Sequence, residues 1–368
     1  MTGSQIAFFG LQKQYAALRE ELLSATDQVL STGRVMDGGH TQEFEQWLAR
    51  YNHCNHAVLC HSGTQALEII ARYFAQQATV HMRQQPTVVV PALTYPATAN
   101  AWITAGWNMV LADVDTNGLL ANVPDSKGWD AVCLVGLYGA SVLGSNQWLP
   151  PCEDWNHRII VEDAAQHWLS YHGHRRGAAA AISFDPTKNL GNYANGGAVV
   201  TCDPDIAEFA QNWISNGRTS NYRHTGSNSR MSEVDCAQMM VKTRYLELWQ
   251  QRRKSIAAYW LDRFEHSSVR CLIDHEALGR DGHCVHKFVI ASPARDSLRQ
   301  YLADQGIETR IHYERALHEL PVFERFRNPG IVNVASALCR QVLSLPIYPE
   351  LTDSEVETIA DRVLDHVS

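Results

Sequence analysis

Three short segments of this 368-residue chain carry side chains whose types and order suit chemistry on a phosphorylated ring. The first is His61-Ser62-Gly63-Thr64-Gln65-Ala66-Leu67. Gly63 lets the backbone approach a ligand closely, and Thr64 offers a free hydroxyl where a helix is expected to begin. The unpaired N–H groups and the dipole of a helix start attract phosphate. Alone, the segment also reads as an ordinary helix cap. The second is Val161-Glu162-Asp163-Ala164-Ala165-Gln166. Asp163 ends an apolar run, where α/β sheets meet their ligands. A buried carboxylate requires a cation or several hydrogen bonds, so Asp163 suits a protonated pyridine nitrogen. Its plainer reading is a cap for the next helix. The third is Ile182-Ser183-Phe184-Asp185-Pro186-Thr187-Lys188-Asn189-Leu190. Lys188 falls on a loop between apolar stretches, and Pro186 stiffens its approach. Enclosure there lowers a lysine toward a nucleophilic amine, while Ser183 offers a hydroxyl to a phosphate.

Each segment has an ordinary structural explanation, but their succession argues against three coincidences. A phosphate corner, a carboxylate for a ring nitrogen and a lysine able to form a Schiff base are the equipment of pyridoxal 5'-phosphate (PLP) catalysis.

Strands and helices must hold these groups. Ala57-Val58-Leu59, Val88-Val89-Val90, Met109-Val110-Leu111, Ala131 to Val135 and Ile159-Ile160-Val161 read as strands buried on both faces. Leu67, Ile70, Ala71 and Phe74 repeat on one helical face after Thr64. The alternation predicts an α/β fold with a mostly parallel central sheet. Past Ser232 the texture becomes α+β: one long helix over 232–265, an alternating segment from Cys284 to Ile290, and helices from Ser297 to Gln305 and from Ser354. We expect a large domain over residues 1–245 and a small C-terminal domain over 246–368.

With these segments in hand, the chain resembles the DegT/StrS-type PLP-dependent sugar aminotransferases, of aspartate-aminotransferase-like fold type I. Ser31-Thr32-Gly33-Arg34, Gly38-Gly39 and Phe44-Glu45 are similar to the family's opening turn and helix. Ser62-Gly63-Thr64 matches its phosphate corner, and Pro91 to Asn100 matches the segment whose aromatic residue, here Tyr95, stacks on the cofactor ring. Glu162 to Gln166 and Ser183 to Leu190 are the most specific matches. The resemblance implies Asp163 on the ring nitrogen, Gln166 near the ring oxygen, Ser183 on the phosphate and Lys188 as the Schiff-base lysine. Gly226 to Glu233 resembles a segment that crosses a homodimer interface, which implies that Asn228 binds the phosphate held by the neighbouring subunit. Gly306 to Tyr313 and Leu343 to Pro349 match the small domain and imply His312 and Tyr313 near the substrate, although a satisfied core pair fits those two equally. The implied reaction moves an amino group, from glutamate, to a keto sugar carried on a nucleotide. A keto-cyclitol acceptor is an alternative, as is a sugar dehydratase of the same fold, in which a histidine replaces the lysine. A non-catalytic regulator on the same fold is a third reading, disfavoured because each group the cofactor needs is present.

Three features depart from the family pattern and bear on the substrate pocket. Gly136 precedes Leu137-Tyr138-Gly139 where a larger polar residue is usual, residues 140–158 are shortened, and Asn195 precedes Gly196-Gly197 where an acidic residue is frequent. Bulk composition narrows the partners. A net charge of −8 argues against nucleic acid and anionic membranes, and the basic spots Arg175-Arg176 and Arg252-Arg253-Lys254 read as solvated surface. No apolar run reaches membrane-spanning length, and no secretory signal opens the chain. Nine cysteines without a Cys-x-x-Cys pair suit a reducing cytoplasm. His172 and His174 flank Gly173, but no metal is expected there.

Overall fold

A computed structural model describes residues 5–81, 85–121, 123, 128–142, 158–170, 177–279, 282–326 and 332–367. Two helices, α1 (Leu11–Thr32) and α2 (Gly39–Tyr51), precede the elements β1 (His56–Cys60), α3 (Gly63–His81), β2 (Thr87–Pro91), α4 (Pro96–Thr104), β3 (Asn108–Ala112), β4 (Ala131–Val135), β5 (Ile159–Asp163), β6 (Ala179–Ser183) and β7 (Gly197–Thr201). The strands form one sheet in the order β1-β7-β6-β5-β4-β2-β3. Neighbours from β6 to β3 pair in parallel, and β7 runs antiparallel to both β1 and β6. Buried β2, β4, β6 and β7 explain the unbroken apolar runs, since helices cover both faces.

Register brings the chemistry together. Gly197 opens β7 opposite Cys60, the last residue of β1, and opposite Ser183, the last of β6. Asp163 ends β5 two strands from β7. Three separate stretches of sequence therefore finish at one edge of the sheet.

The remaining elements are α5 (Pro204–Ile214), α6 (Glu233–Thr243), α7 (Leu246–Phe264), β8 (Arg270–Cys271), α8 (His275–Gly279), β9 (Phe288–Ala291), α9 (Arg295–Asp304), α10 (Val334–Gln341), β10 (Val342–Leu345) and α11 (Asp353–Val367). Strands β8, β9 and β10 make a separate antiparallel sheet. The expected single helix over 232–265 is two, because Arg244 and Tyr245 tighten into a turn with N–H bonds to Val241 and Lys242 carbonyls. We propose this break as the boundary between the large and small domains. One apolar cluster nonetheless spans both sheets, from Val88 and Trp102 to Val289, Ala291 and Leu338.

Two further expectations need correction. Of the alternating segment only the part from Phe288 onward is strand, within β9. Cys284 and Lys287 instead give their N–H groups to the carbonyls of Gly139 and Tyr138, at 2.9 Å each, so the segment docks on a turn of the large sheet. Arg253 is not solvated: it is 6% exposed, and its guanidinium donates to the carbonyls of Val285 and Ile347. Arg175, Arg176, His172 and His174 lie outside the described residues, as do 143–157 of the shortened segment. Among the described residues no helix is long and apolar enough to cross a membrane.

Candidate active site

At the carboxyl edge of the large sheet lies a cleft of about 400 Å³. Gly63, Thr64, Tyr95, Asp163, Gln166, Ser183, Lys188, His312 and Tyr313 all line it. Of the site residues read from the sequence, Asn228 alone does not. It is exposed on the segment after α5, with its carbonyl oxygen near an Arg230 nitrogen at 3.4 Å.

The floor is built on strand ends. Asp163 is 6% exposed and accepts the Thr98 hydroxyl at 2.6 Å and the Ala165 N–H at 3.2 Å. Thr98 comes from the first turn of α4, which Pro96 opens, and its oxygen also lies 2.9 Å from that of Thr94. No ion pair involves Asp163 among the described residues, so this buried carboxylate faces the cleft with capacity for a cation. Lys188 follows β6 on a turn fixed by Asp185, which accepts the Thr187 N–H at 2.9 Å, the Thr187 hydroxyl at 2.6 Å and, at its backbone carbonyl, the Lys188 N–H at 2.8 Å. Behind the turn, Asn189 donates to Gln250 and to the Cys284 carbonyl. Burial pushes the Lys188 amine below the ordinary lysine range, and the carboxylates of Asp185 and Asp163 oppose that only in part.

At the other end of the floor α3 starts at Gly63, and the Ser62 hydroxyl caps it by accepting the Gln65 N–H at 3.1 Å. The Gly63 and Thr64 amides have no partner among the described residues, which leaves two donors facing the cleft. Glycine is required here by crowding. A Cβ on Gly63 would stand 2.7 Å from the Ser183 Cβ, and one on Gly197 would stand 2.3 Å from the Ser62 carbonyl carbon.

The wall comes from elsewhere. Gln166 accepts the Tyr138 N–H at 2.9 Å and reaches the Tyr313 hydroxyl at 3.3 Å. The Tyr138 hydroxyl donates to the His312 carbonyl. The His312 ring pairs with the Ser344 hydroxyl at 2.8 Å, and burial beside Lys287 and Lys188 pushes it down to about 3, so the imidazole is neutral. Tyr95 is 57% exposed, and its ring lies 6.0 Å from that of Tyr313. The seam carries backbone strain at two non-glycine residues with positive φ, Tyr138 at 62° and Val285 at 49°.

Phe9, His286 and Lys287 also line the cleft, and sequence reasoning missed them. Phe9 precedes any recognisable motif. His286 and Lys287 sit in the segment read as strand.

The departures sort differently. Asn195 lines the cleft. Gly136 does not: a Cβ there would fall 2.2 Å from the His167 ring, which occupies that space. His167 accepts the Gly136 N–H at 3.2 Å, and its other nitrogen faces the Glu162 carboxylate at 3.3 Å. Both side chains are buried. Gly136 and His167 thus join the turn carrying Asp163 and Gln166 to the end of β4.

Comparison with known proteins finds relatives over nearly the whole chain. Residues 16–364 match the DegT/DnrJ/EryC1/StrS aminotransferase family. The chain is similar to a dTDP-3-amino-3,4,6-trideoxy-alpha-D-glucose transaminase of Streptomyces venezuelae, at 33% identity over 98% of this chain and 95% of the relative. It is also similar to a pleiotropic regulatory protein of Geobacillus stearothermophilus, at 28% identity over 98% of each. Among solved structures, DesV of S. venezuelae in complex with a ketimine intermediate superposes with a TM-score of 0.87, at 30% identity over 99% of each chain.

Proposed function

Because the chain belongs to the DegT/DnrJ/EryC1/StrS aminotransferase family, we propose that it moves an amino group from glutamate to a nucleotide-linked keto sugar, as a cytoplasmic homodimer using PLP. One observation carries the reading. The Lys188 amine, the Asp163 carboxylate and two free amides at the start of α3 all face one cleft. These groups fit PLP: a buried carboxylate without a cation for its ring nitrogen, an amine for its aldehyde and a helix start for its phosphate.

When bound, PLP supplies an electron sink for the pair left on a carbon that loses a proton. The protein supplies the rest. Asp163, held in place by the Thr98 hydroxyl and the Ala165 N–H, would pair with the ring nitrogen and favour its protonated form. The Gly63 and Thr64 amides and the Ser183 hydroxyl would hold the phosphate. Tyr95 would offer its ring as a flat face, and Gln166, fixed by Tyr138, would sit near the ring oxygen. Lys188 would hold the aldehyde end at rest. Once the donor displaces it, its Nζ would take the proton from the donor α-carbon and return it to the cofactor carbon. His312, neutral beside the cleft, and Tyr313 would contact the substrate.

The phosphate corner supports a dimer. Thr64 is exposed there in the single chain, and Asn228 is exposed outside its own cleft. We assign Asn228 to the phosphate held by the neighbouring protomer. The S. venezuelae relative's name supports a nucleotide-linked sugar. Lys188 in place of a histidine favours amino transfer over dehydration.

The test is to incubate PLP-loaded protein with glutamate and a panel of nucleotide-linked keto sugars, following 2-oxoglutarate and amino-sugar formation. Stoichiometric formation of both is expected. Dehydration without consumption of donor, or a protein that does not take up PLP, would overturn the reading.

A further inference from the structure

Lys287 has no part in the reaction as described, yet it lines the cleft that holds Lys188. It is 6% exposed, and among the described residues no carboxylate pairs with it. Two phenylalanine rings flank it, and three of the four charged groups that act on it are cations. Nζ lies 5.1 Å from the ring centroids of both Phe8 and Phe9. The charged groups acting on it are, in order, Lys188, Arg253, Asp185 and Arg310. Asp185 already serves Thr187, and Arg253 gives its guanidinium to backbone carbonyls. Burial and its cationic neighbours hold the Lys287 amine far below the ordinary lysine range. A cation buried without an anion is costly, and an apolar side chain would pack better against two phenylalanines. That arrangement makes sense if the anion arrives with a ligand.

We propose that Lys287 binds the carboxylate of the amino donor, beside the carbon that reacts at Lys188. The proposal rests on the aminotransferase reading of that lysine. Position favours the donor over the acceptor as the source of the anion. An amino acid carries its carboxylate one bond from the reacting carbon, so the anion comes to rest beside Lys188. The phosphates of a nucleotide-linked sugar stand several bonds from the carbonyl it presents. Phe8 and Phe9 shield the pair from water, which strengthens a charge-assisted hydrogen bond. His312 is held neutral and does not compete for the anion.

The test uses PLP-loaded Lys287→Met and Lys287→Arg, with each half-reaction followed separately by the cofactor's visible spectrum. Retention of the resting spectrum shows that the variants fold and load. For Lys287→Met the KM for glutamate is expected to rise roughly 30- to 100-fold, as loss of one charge-assisted hydrogen bond implies. The donor half-reaction rate at saturation and the KM for the sugar should each stay within about three-fold, and Lys287→Arg should recover most of the glutamate affinity. An unchanged glutamate KM would refute the proposal, as would a loss confined to the sugar KM or to the saturated rate. Failure of the underlying reading looks different, because the unmodified enzyme would then show no glutamate-dependent spectral change at all.

Discussion

The floor and the wall of the cleft are built in opposite ways. The floor stands on strand ends whose places are set by ladder register: Asp163 on β5, Ser183 on β6, Gly197 on β7, with α3 and the Lys188 turn attached. The wall is assembled from distant segments, Phe9, His286, Lys287, His312 and Tyr313, with Tyr138 bonded to Gln166 and His312 behind it and strained backbone at Tyr138 and Val285. A sheet edge cannot shift one group without shifting a strand, whereas docked segments can be exchanged one at a time. The floor is therefore suited to chemistry that tolerates no misplacement, and the wall to choosing a substrate.

That contrast can be broken experimentally. If it holds, floor substitutions lower the turnover rate or cofactor affinity, and wall substitutions mainly change KM. The largest effect is expected for Lys188→Ala, a loss of about 10⁴-fold or more in kcat, since one amine serves as both covalent anchor and proton carrier. Asp163→Asn should lower kcat by roughly 10²- to 10³-fold, because the amide cannot stabilise a protonated ring nitrogen. Both are read by steady-state rates with glutamate and sugar.

At the seam, His167→Ala would remove the imidazole that faces the buried Glu162 carboxylate at 3.3 Å and accepts the Gly136 N–H at 3.2 Å, at a cost of about 1–3 kcal/mol in unfolding free energy. Gly136→Ala should also destabilise, because a Cβ there would meet the Ala140 carbonyl oxygen at 2.3 Å as well as the His167 ring at 2.2 Å. Denaturant titration of the three proteins checks this, and an unchanged midpoint for His167→Ala would remove His167 from its joining role. Gly63→Ala should cost about 1–3 kcal/mol through its 2.7 Å approach to Ser183, together with weaker PLP binding measured by equilibrium titration. Smallest is Tyr313→Phe. Removing the hydroxyl that faces Gln166 should raise the sugar KM about five-fold and leave kcat nearly unchanged, as loss of one neutral hydrogen bond implies.

The same contrast explains what the sequence discloses. Asp163 and Ser183 end strands, Gly63 opens a helix and Lys188 sits on the turn after β6; each is legible because it falls inside a contiguous motif, where local pattern and chemistry coincide. The mostly parallel sheet was readable from its unbroken apolar runs. Lys287 was not, since period-2 alternation over Cys284 to Ile290 looks like a strand, while the actual N–H partners are Tyr138 and Gly139 of the other sheet. Gly136 looked like a change in the pocket. Its meaning depends on His167, a neighbour in space that no local pattern connects to it. Arg253 looked solvated for the same reason, because the carbonyls that bury it come from the small sheet's approach and its last strand's exit.

Everything turns on which amine bonds the cofactor, and the cleft holds two lysines. The most direct measurement is to load the protein with PLP, reduce it with borohydride, digest it and locate the phosphopyridoxyl group by mass spectrometry. The account predicts the group on Lys188. Its appearance on Lys287, or on no lysine of a PLP-saturated protein, would contradict it.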